Sequence, residues 1–116
     1  MPAKEVKLKK GDVLIREGSE SDSMYLLQEG SMAVFKRKGS KDVLLGHIHT
    51  GELVGEMSFL DQEPRSATVI AATDAVLVEI PHQKFVELFQ SQPLWFQSLI
   101  KTLLNRLRAT NAKVKI

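Results

Sequence analysis

From Gly11 to Ile80 short apolar runs alternate with turn residues at intervals of roughly 8–12, the spacing of an all-β sandwich or barrel. Val13-Leu14-Ile15-Arg16 follows Gly11-Asp12 and ends at Glu17-Gly18-Ser19-Glu20. Met24-Tyr25-Leu26-Leu27 comes next, and Glu29-Gly30 turns it into Met32-Ala33-Val34-Phe35-Lys36. The turn-rich Lys38-Gly39-Ser40-Lys41 then leads to Val43–Ile48, so two hairpins are expected here. Ala67–Ala72 and Ala75–Ile80 are further strand-like runs joined at Thr73-Asp74. Strand alternation puts Val76, Val78 and Ile80 on one face and Ala75, Leu77 and Glu79 on the other, and the first set is expected to point inward. The number of runs suits a jelly roll. The period changes at Pro81, a residue suited to a first helical turn. Phe85, Leu88 and Phe89 recur at helical spacing, Ser91-Gln92-Pro93 interrupts, and Phe96, Leu99, Ile100, Leu103, Leu104 and Leu107 form a broad apolar stripe on a second helix ending near residue 112.

A chain of 116 residues holds one domain with a real core. Residues 1–10 read as a lead-in, 11–80 as a β-roll and 81–112 as C-terminal helices. The absence of cysteine excludes disulfides, thiolate metal sites and cysteine nucleophiles. No run approaches the 18 or so apolar residues of a membrane span, and the charged N-terminal segment lacks the apolar centre of a signal peptide; the expected location is the cytoplasm. The net charge is only +2, and although Lys101, Arg106, Arg108, Lys113 and Lys115 crowd the last sixteen residues, no aromatic interleaving accompanies them. They complement the C-terminal end of a helix dipole, and direct nucleic-acid binding is not expected.

The stretch Gly51–Val69, GELVGEMSFLDQEPRSATV, carries the chemistry. Gly51 and Gly55 permit positive φ or close approach of a ligand to the backbone. Glu56-Met57-Ser58-Phe59-Leu60 is long enough for one helical turn, whose first N–H groups have no intrahelical partner and favour an anion. Arg65, after the turn Asp61-Gln62-Glu63-Pro64, brings a fork of donors matched to phosphate oxygens. Ser66 adds a hydroxyl and an amide. Glu56, an acceptor-only carboxylate, then needs a hydroxyl donor, which a ribose 2′-OH beside a phosphodiester supplies. A lone Glu and Arg would instead read as a surface ion pair contributing about 0–1 kcal/mol.

Gly55-Glu56, the short helix and Pro64-Arg65-Ser66-Ala67 together closely resemble the phosphate cassette of cyclic-nucleotide-binding domains, found in catabolite-activator-type regulators, kinase regulatory subunits and nucleotide-gated channels. The resemblance runs from about Lys10 to Asn111. It implies a mainly β fold, an antiparallel jelly-roll barrel with a short cassette helix and C-terminal helices, and a non-enzymatic sensor of cAMP or, less favoured, cGMP. It implies ligand contacts from Gly55, Glu56, Met57, Ser58, Arg65, Ser66 and Ala67. Arg106 falls where some channel domains set an arginine over the base, and Thr110-Asn111 where activators carry a Thr-Ser pair touching adenine. A hydroxyl after the arginine accompanies guanine preference in some relatives, but activators with the same serine take adenine.

The C-terminal stripe is expected to pack mostly on the roll, with homodimerisation through it as a second use. The output domain or partner protein that reads the sensor lies outside this sequence. Two other functions compete. His47-Ile48-His49 followed by Glu52 resembles a cupin metal site, although only two residues separate His49 from Glu52 and no later histidine completes the set except His82 on another element. A roll kept only for dimerisation is the other. No nucleophile, base and oxyanion set can be assembled, so no catalytic residue is assigned.

Overall fold

The computed structural model describes residues 4–56 and 63–114, the side chains of 108 and 110–114 excepted. Eight strands come first: β1 (Lys4–Leu8), β2 (Val13–Ile15), β3 (Ser23–Glu29), β4 (Met32–Lys38), β5 (Lys41–Ile48), β6 (Leu53–Val54), β7 (Thr68–Ala71) and β8 (Ala75–Pro81). Two helices follow, α1 (His82–Gln90) and α2 (Leu94–Val114). The chain divides into two units, residues 1–82 and 83–116.

In the first unit the strands form two antiparallel four-stranded sheets, ordered β1-β8-β3-β6 and β2-β7-β4-β5. The two orders correspond position by position. Each strand of one sheet continues round a corner into its counterpart in the other, β1 into β2, β3 into β4, β5 into β6 and β7 into β8. All four corners therefore lie at one end of the roll. The opposite end receives the β2–β3 loop, the β4–β5 hairpin and the long β6–β7 connection.

The hairpin between β4 and β5 forms as expected, with register from Met32 opposite Ile48 to Lys38 opposite Lys41. The hairpin expected at Glu29-Gly30 does not, because β3 and β4 belong to different sheets. The reason lies in what Gly30 touches. At φ +96° it sits so close to the β7–β8 corner that a Cβ would lie 2.9 Å from Ala75 Cα and 3.0 Å from Thr73 Oγ1. Ser31 N donates to Thr73 Oγ1 at 3.1 Å while Ser31 O accepts from Ala72 N at 2.9 Å. The corner's polar groups are thus satisfied by a neighbouring corner rather than by a hairpin ladder.

The inward face of β8 is also the reverse of the expected one. Ala75 and Leu77 are buried, whereas Val76, Val78 and Ile80 are half-buried. Leu77 lies opposite Val6 of β1 on one side and Leu27 of β3 on the other, and residues directly opposite share a face. This row joins Ile15, Met32, Val54, Val69 and Ala71 in the core between the sheets. Both faces of β8 are apolar, so alternation alone does not select one. Lys4–Leu8, expected within a lead-in, is an edge strand whose Val6 and Leu8 pack on that core while Lys4, Glu5 and Lys7 face solvent. Charged edge residues discourage pairing with other chains.

Pro81 closes β8, α1 begins one residue later, and the second unit starts at Gln83. Phe85 and Phe89 stack along α1 with ring centroids 5.7 Å apart. Gln97 Nε2 donates to Gln92 O at 2.9 Å and so bridges the break before α2. The α2 stripe splits: Phe96, Ile100 and Leu104 are half-buried, but Leu99, Leu103 and Leu107 stay 45–50% exposed.

Gly30→Ala must meet both a positive φ and the Ala75 backbone. It is expected to lower stability by about 2–4 kcal/mol in urea denaturation without loss of the two-state transition; an unchanged midpoint would show that the stacked corners are not a constraint.

Candidate functional site

The β6–β7 connection leaves and returns at the loop end of the roll, and its last residues are laced to the β2–β3 loop. Gly18 N donates to Arg65 O at 2.8 Å, and Arg65 N donates to Ser19 O at 2.9 Å. This fixes the Arg65 main chain. Its side chain runs inward: Arg65 is only 5% exposed, and the reading of it as a surface ion-pair partner does not apply. Nη1 donates to Gly55 O at 3.0 Å and Nη2 to Ser23 O. The arginine at the end of the connection is thus held against the glycine at its start.

Gly55 makes this approach feasible. Its φ is +76°, and a Cβ there would lie 2.9 Å from Ile15 Cδ1, 3.3 Å from Arg65 Cζ and nearer still to Nη1. Glycine is required for backbone conformation and for space alike. Glu56 follows, half-buried. Ser66 is exposed and Ala67 half-buried, immediately before β7. Met57 and Ser58 lie outside the described residues. The first helical amides after Gly55, expected to face an anion, belong to the same segment. Arg106 is exposed on α2, in the second unit. Thr110 and Asn111 fall within α2, but their side chains are outside the described set. Of the ten expected residues, Gly55, Glu56, Arg65, Ser66 and Ala67 are therefore brought together by the roll.

Other residues join them without having been expected. A cavity of about 310 Å³ is walled by Ile15, Arg16, Ser19, Asp22, Tyr25 and Arg65 among others. That volume is at the lower end for small-molecule sites. Burial pushes the Arg65 guanidinium below the usual arginine range, while the nearby Tyr25 and Asp22 act in the opposite direction. An arginine remains charged regardless, so this is a desolvated cation that an anion would stabilise. Burial also raises the Tyr25 phenol, helped by Glu79 opposite it on β8 and opposed by Arg65. No sequence pattern marks Tyr25, which reads there as one apolar residue of a strand.

The cupin-like grouping is not formed. Among the described residues no three His, Asp or Glu side chains converge as a metal site. Glu52 Oε1 instead accepts from His49 N at 2.7 Å, and Glu52 N donates to His49 O at 3.0 Å, a local turn that occupies the carboxylate. No helix among the described residues is long and apolar enough to cross a membrane.

Residues 5–92 match the family model described as "Cyclic nucleotide-binding domain". The cAMP-activated global transcriptional regulator CRP of Salmonella typhimurium is 32% identical over 103 residues, 87% of this chain and 49% of the relative. This chain spans about half the length of such curated relatives. The catabolite activator protein of Thermus thermophilus superposes with a TM-score of 0.79 at 27% identity, covering 97% of this chain and 54% of that one. The cAMP-bound form of the EAL enzyme Bd1971 gives the same TM-score at 28% identity, over 97% of this chain and 30% of that one, and its cGMP-bound form matches equally.

A raised phenol favours the folded state below the ordinary tyrosine pKa of 10.0 and ceases to do so as pH rises through the folded value. The wild-type melting temperature is expected to fall as pH is taken above about 10, and Tyr25→Phe to fall less over the same window. Parallel curves for the two proteins would remove Tyr25 from this account.

Proposed function

The chain belongs to the cyclic nucleotide-binding domain family, and we propose that it binds cAMP, in preference to cGMP, at the loop end of the roll and acts as a sensor rather than a catalyst. The observation that carries this reading is Arg65, a buried cation that donates to the carbonyls of Gly55 and Ser23 and lines a cavity. A phosphodiester suits such a cation, because its oxygens accept charge-assisted bonds from the guanidinium fork. Glu56 takes the ribose 2′-OH. Gly55, Met57, Ser58, Ser66 and Ala67 are assigned the remaining phosphate and sugar contacts, and the family resemblance assigns the base to Arg106, Thr110 and Asn111. A relative activated by cAMP and a solved neighbour bound to either nucleotide support the ligand class. The leaning to adenine rests on Thr110.

Occupancy is read out through the C-terminal helices. Nη2 of Arg65 bonds the carbonyl of Ser23, the first residue of β3; the preceding residue, Asp22, accepts at its carbonyl from His82 N at 2.9 Å; and His82 is the first residue of α1. A ligand that re-aims the guanidinium therefore acts on a main-chain segment bonded to the start of that helix, and the empty and filled states differ in how α1 and α2 pack. The exposed Leu99, Leu103 and Leu107 suit a second copy of this chain as the surface that covers them. The reader of the signal, an output domain or partner protein, lies outside the 116 residues.

Calorimetric titration tests the ligand: saturable binding is expected for cAMP, weaker for cGMP, and absence of binding to both would end the sensor reading. Arg65→Lys keeps the charge but loses the fork and is expected to weaken cAMP binding roughly a hundredfold. Gly55→Ala should do so too, by displacing the guanidinium. Amide exchange at His82 tests transmission, since it is expected to change on adding cAMP; identical exchange with and without ligand contradicts this route.

A further inference from the structure

The residues that would touch phosphate are themselves steered by a charged pair outside the cassette. Lys36, on β4, donates from Nζ to Ser66 O at 2.8 Å. Its ammonium also lies 3.7 Å from Glu17 Oε2, in a pair whose side chains are only 26% and 31% exposed. Glu17 is anchored in turn: its other oxygen accepts from Arg37 N at 2.9 Å, and its own N–H donates to Thr68 Oγ1 at 3.0 Å. Together with Gly18 N on Arg65 O, these bonds hold the carbonyl of Arg65, the carbonyl of Ser66 and the hydroxyl of Thr68 from one side.

Peptide planarity turns that restraint into an orientation. In a trans peptide the C=O and the following N–H point in opposite directions. Fixing Ser66 O on Lys36 therefore aims the Ala67 N–H away from β4, and fixing Arg65 O on Gly18 aims the Ser66 N–H away from the β2–β3 loop. Among the described residues neither N–H has an acceptor. Two adjacent amides are thus presented as donors for an incoming anion beside Arg65. Of the bonds that set them, the one from Lys36 comes from a partly buried ion pair, which holds its geometry better than exposed pairs do.

We infer that Lys36, held by Glu17, is a positioning residue for phosphate recognition, setting the Ser66–Ala67 peptide plane so that its N–H meets one particular exocyclic oxygen of the ligand. The inference rests on the proposed cyclic-nucleotide site, and it makes a demand that binding alone does not. If each phosphate oxygen has its own fixed partners, replacing one oxygen or the other by sulfur must have unequal effects.

The test compares cAMP with its Sp and Rp phosphorothioates on the wild type, Lys36→Met, Lys36→Arg and Glu17→Gln, with melting temperatures measured in parallel. Glu17→Gln keeps an acceptor for Arg37 N and removes only the charge. The wild type is expected to bind cAMP and to discriminate between the two diastereomers. Lys36→Met is expected to lose about tenfold in cAMP affinity and to bring the Sp/Rp ratio toward one; Glu17→Gln should move both the same way by less, and Lys36→Arg should restore them. A purely structural role would lower melting temperature and leave the diastereomer ratio as in the wild type. An unchanged ratio in Lys36→Met and Glu17→Gln overturns the inference while leaving the ligand reading intact. A wild type that binds no cyclic nucleotide removes both, and is recognised before any variant is made.

Discussion

A guanidinium carried into the roll and bonded to the carbonyls of Gly55 and Ser23 ties both ends of the β6–β7 connection to the start of β3. Burying a charge is costly, and neutral dipoles offset that cost only when they are well aimed. The lowered Arg65 pKa has burial as its leading cause, opposed by the nearby Tyr25 and Asp22. Much around Arg65 follows from aiming those dipoles. Position 55 must lack a side chain, the β2–β3 loop must lace to residue 65 at two backbone points, and β3 must begin where its first carbonyl meets Nη2.

The topology explains how a small roll sustains such a centre. Four strand-to-strand corners gather at one end, where they satisfy one another's polar groups and fix the register of both sheets at once. The other end is left to loops whose lengths and compositions are set by chemistry. The stacked corners and the candidate site are thus separated along the axis of the roll, an arrangement that suits binding residues on loops supported by a rigid scaffold.

How much of this the sequence discloses depends on whether the deciding interaction is local. The β4–β5 hairpin and the break at Ser91-Gln92-Pro93 are written in turn residues and period, and they form where expected. The cassette is legible because glycine, acid, proline and arginine follow in one short order. Gly30 shows the opposite case. A Glu-Gly pair between two apolar runs is a sound hairpin signal, yet the glycine is needed because residues 73–75 press against it from more than forty positions away. The inward face of β8 depends likewise on Val6 and Leu27 lying to either side of Leu77, and β1 is recognisable only once β8 is there to pair with it. Tyr25 and Lys36 escape for the same reason: each matters through a partner placed by tertiary structure, Arg65 and Glu79 for the one, Ser66 and Glu17 for the other.

Non-local placement also bears on how a signal could leave the site. Arg65 is bonded to Ser23, and the residue before Ser23 holds the amide of His82, so the buried cation is separated from the first helical residue by a short run of main chain at the start of β3. Contiguity alone does not couple two sites; coupling needs an element with two arrangements that the ligand distinguishes. The guanidinium qualifies on chemical grounds, because the bonds it makes to neutral carbonyls and those it would make to an anion draw on the same five donors. Redirecting the Nη2 donor changes what Ser23 is bonded to, and the strand start cannot shift without disturbing its register with Pro81 at the foot of α1. In the proposed sensor the residue that recognises charge is then also the residue through which recognition is felt.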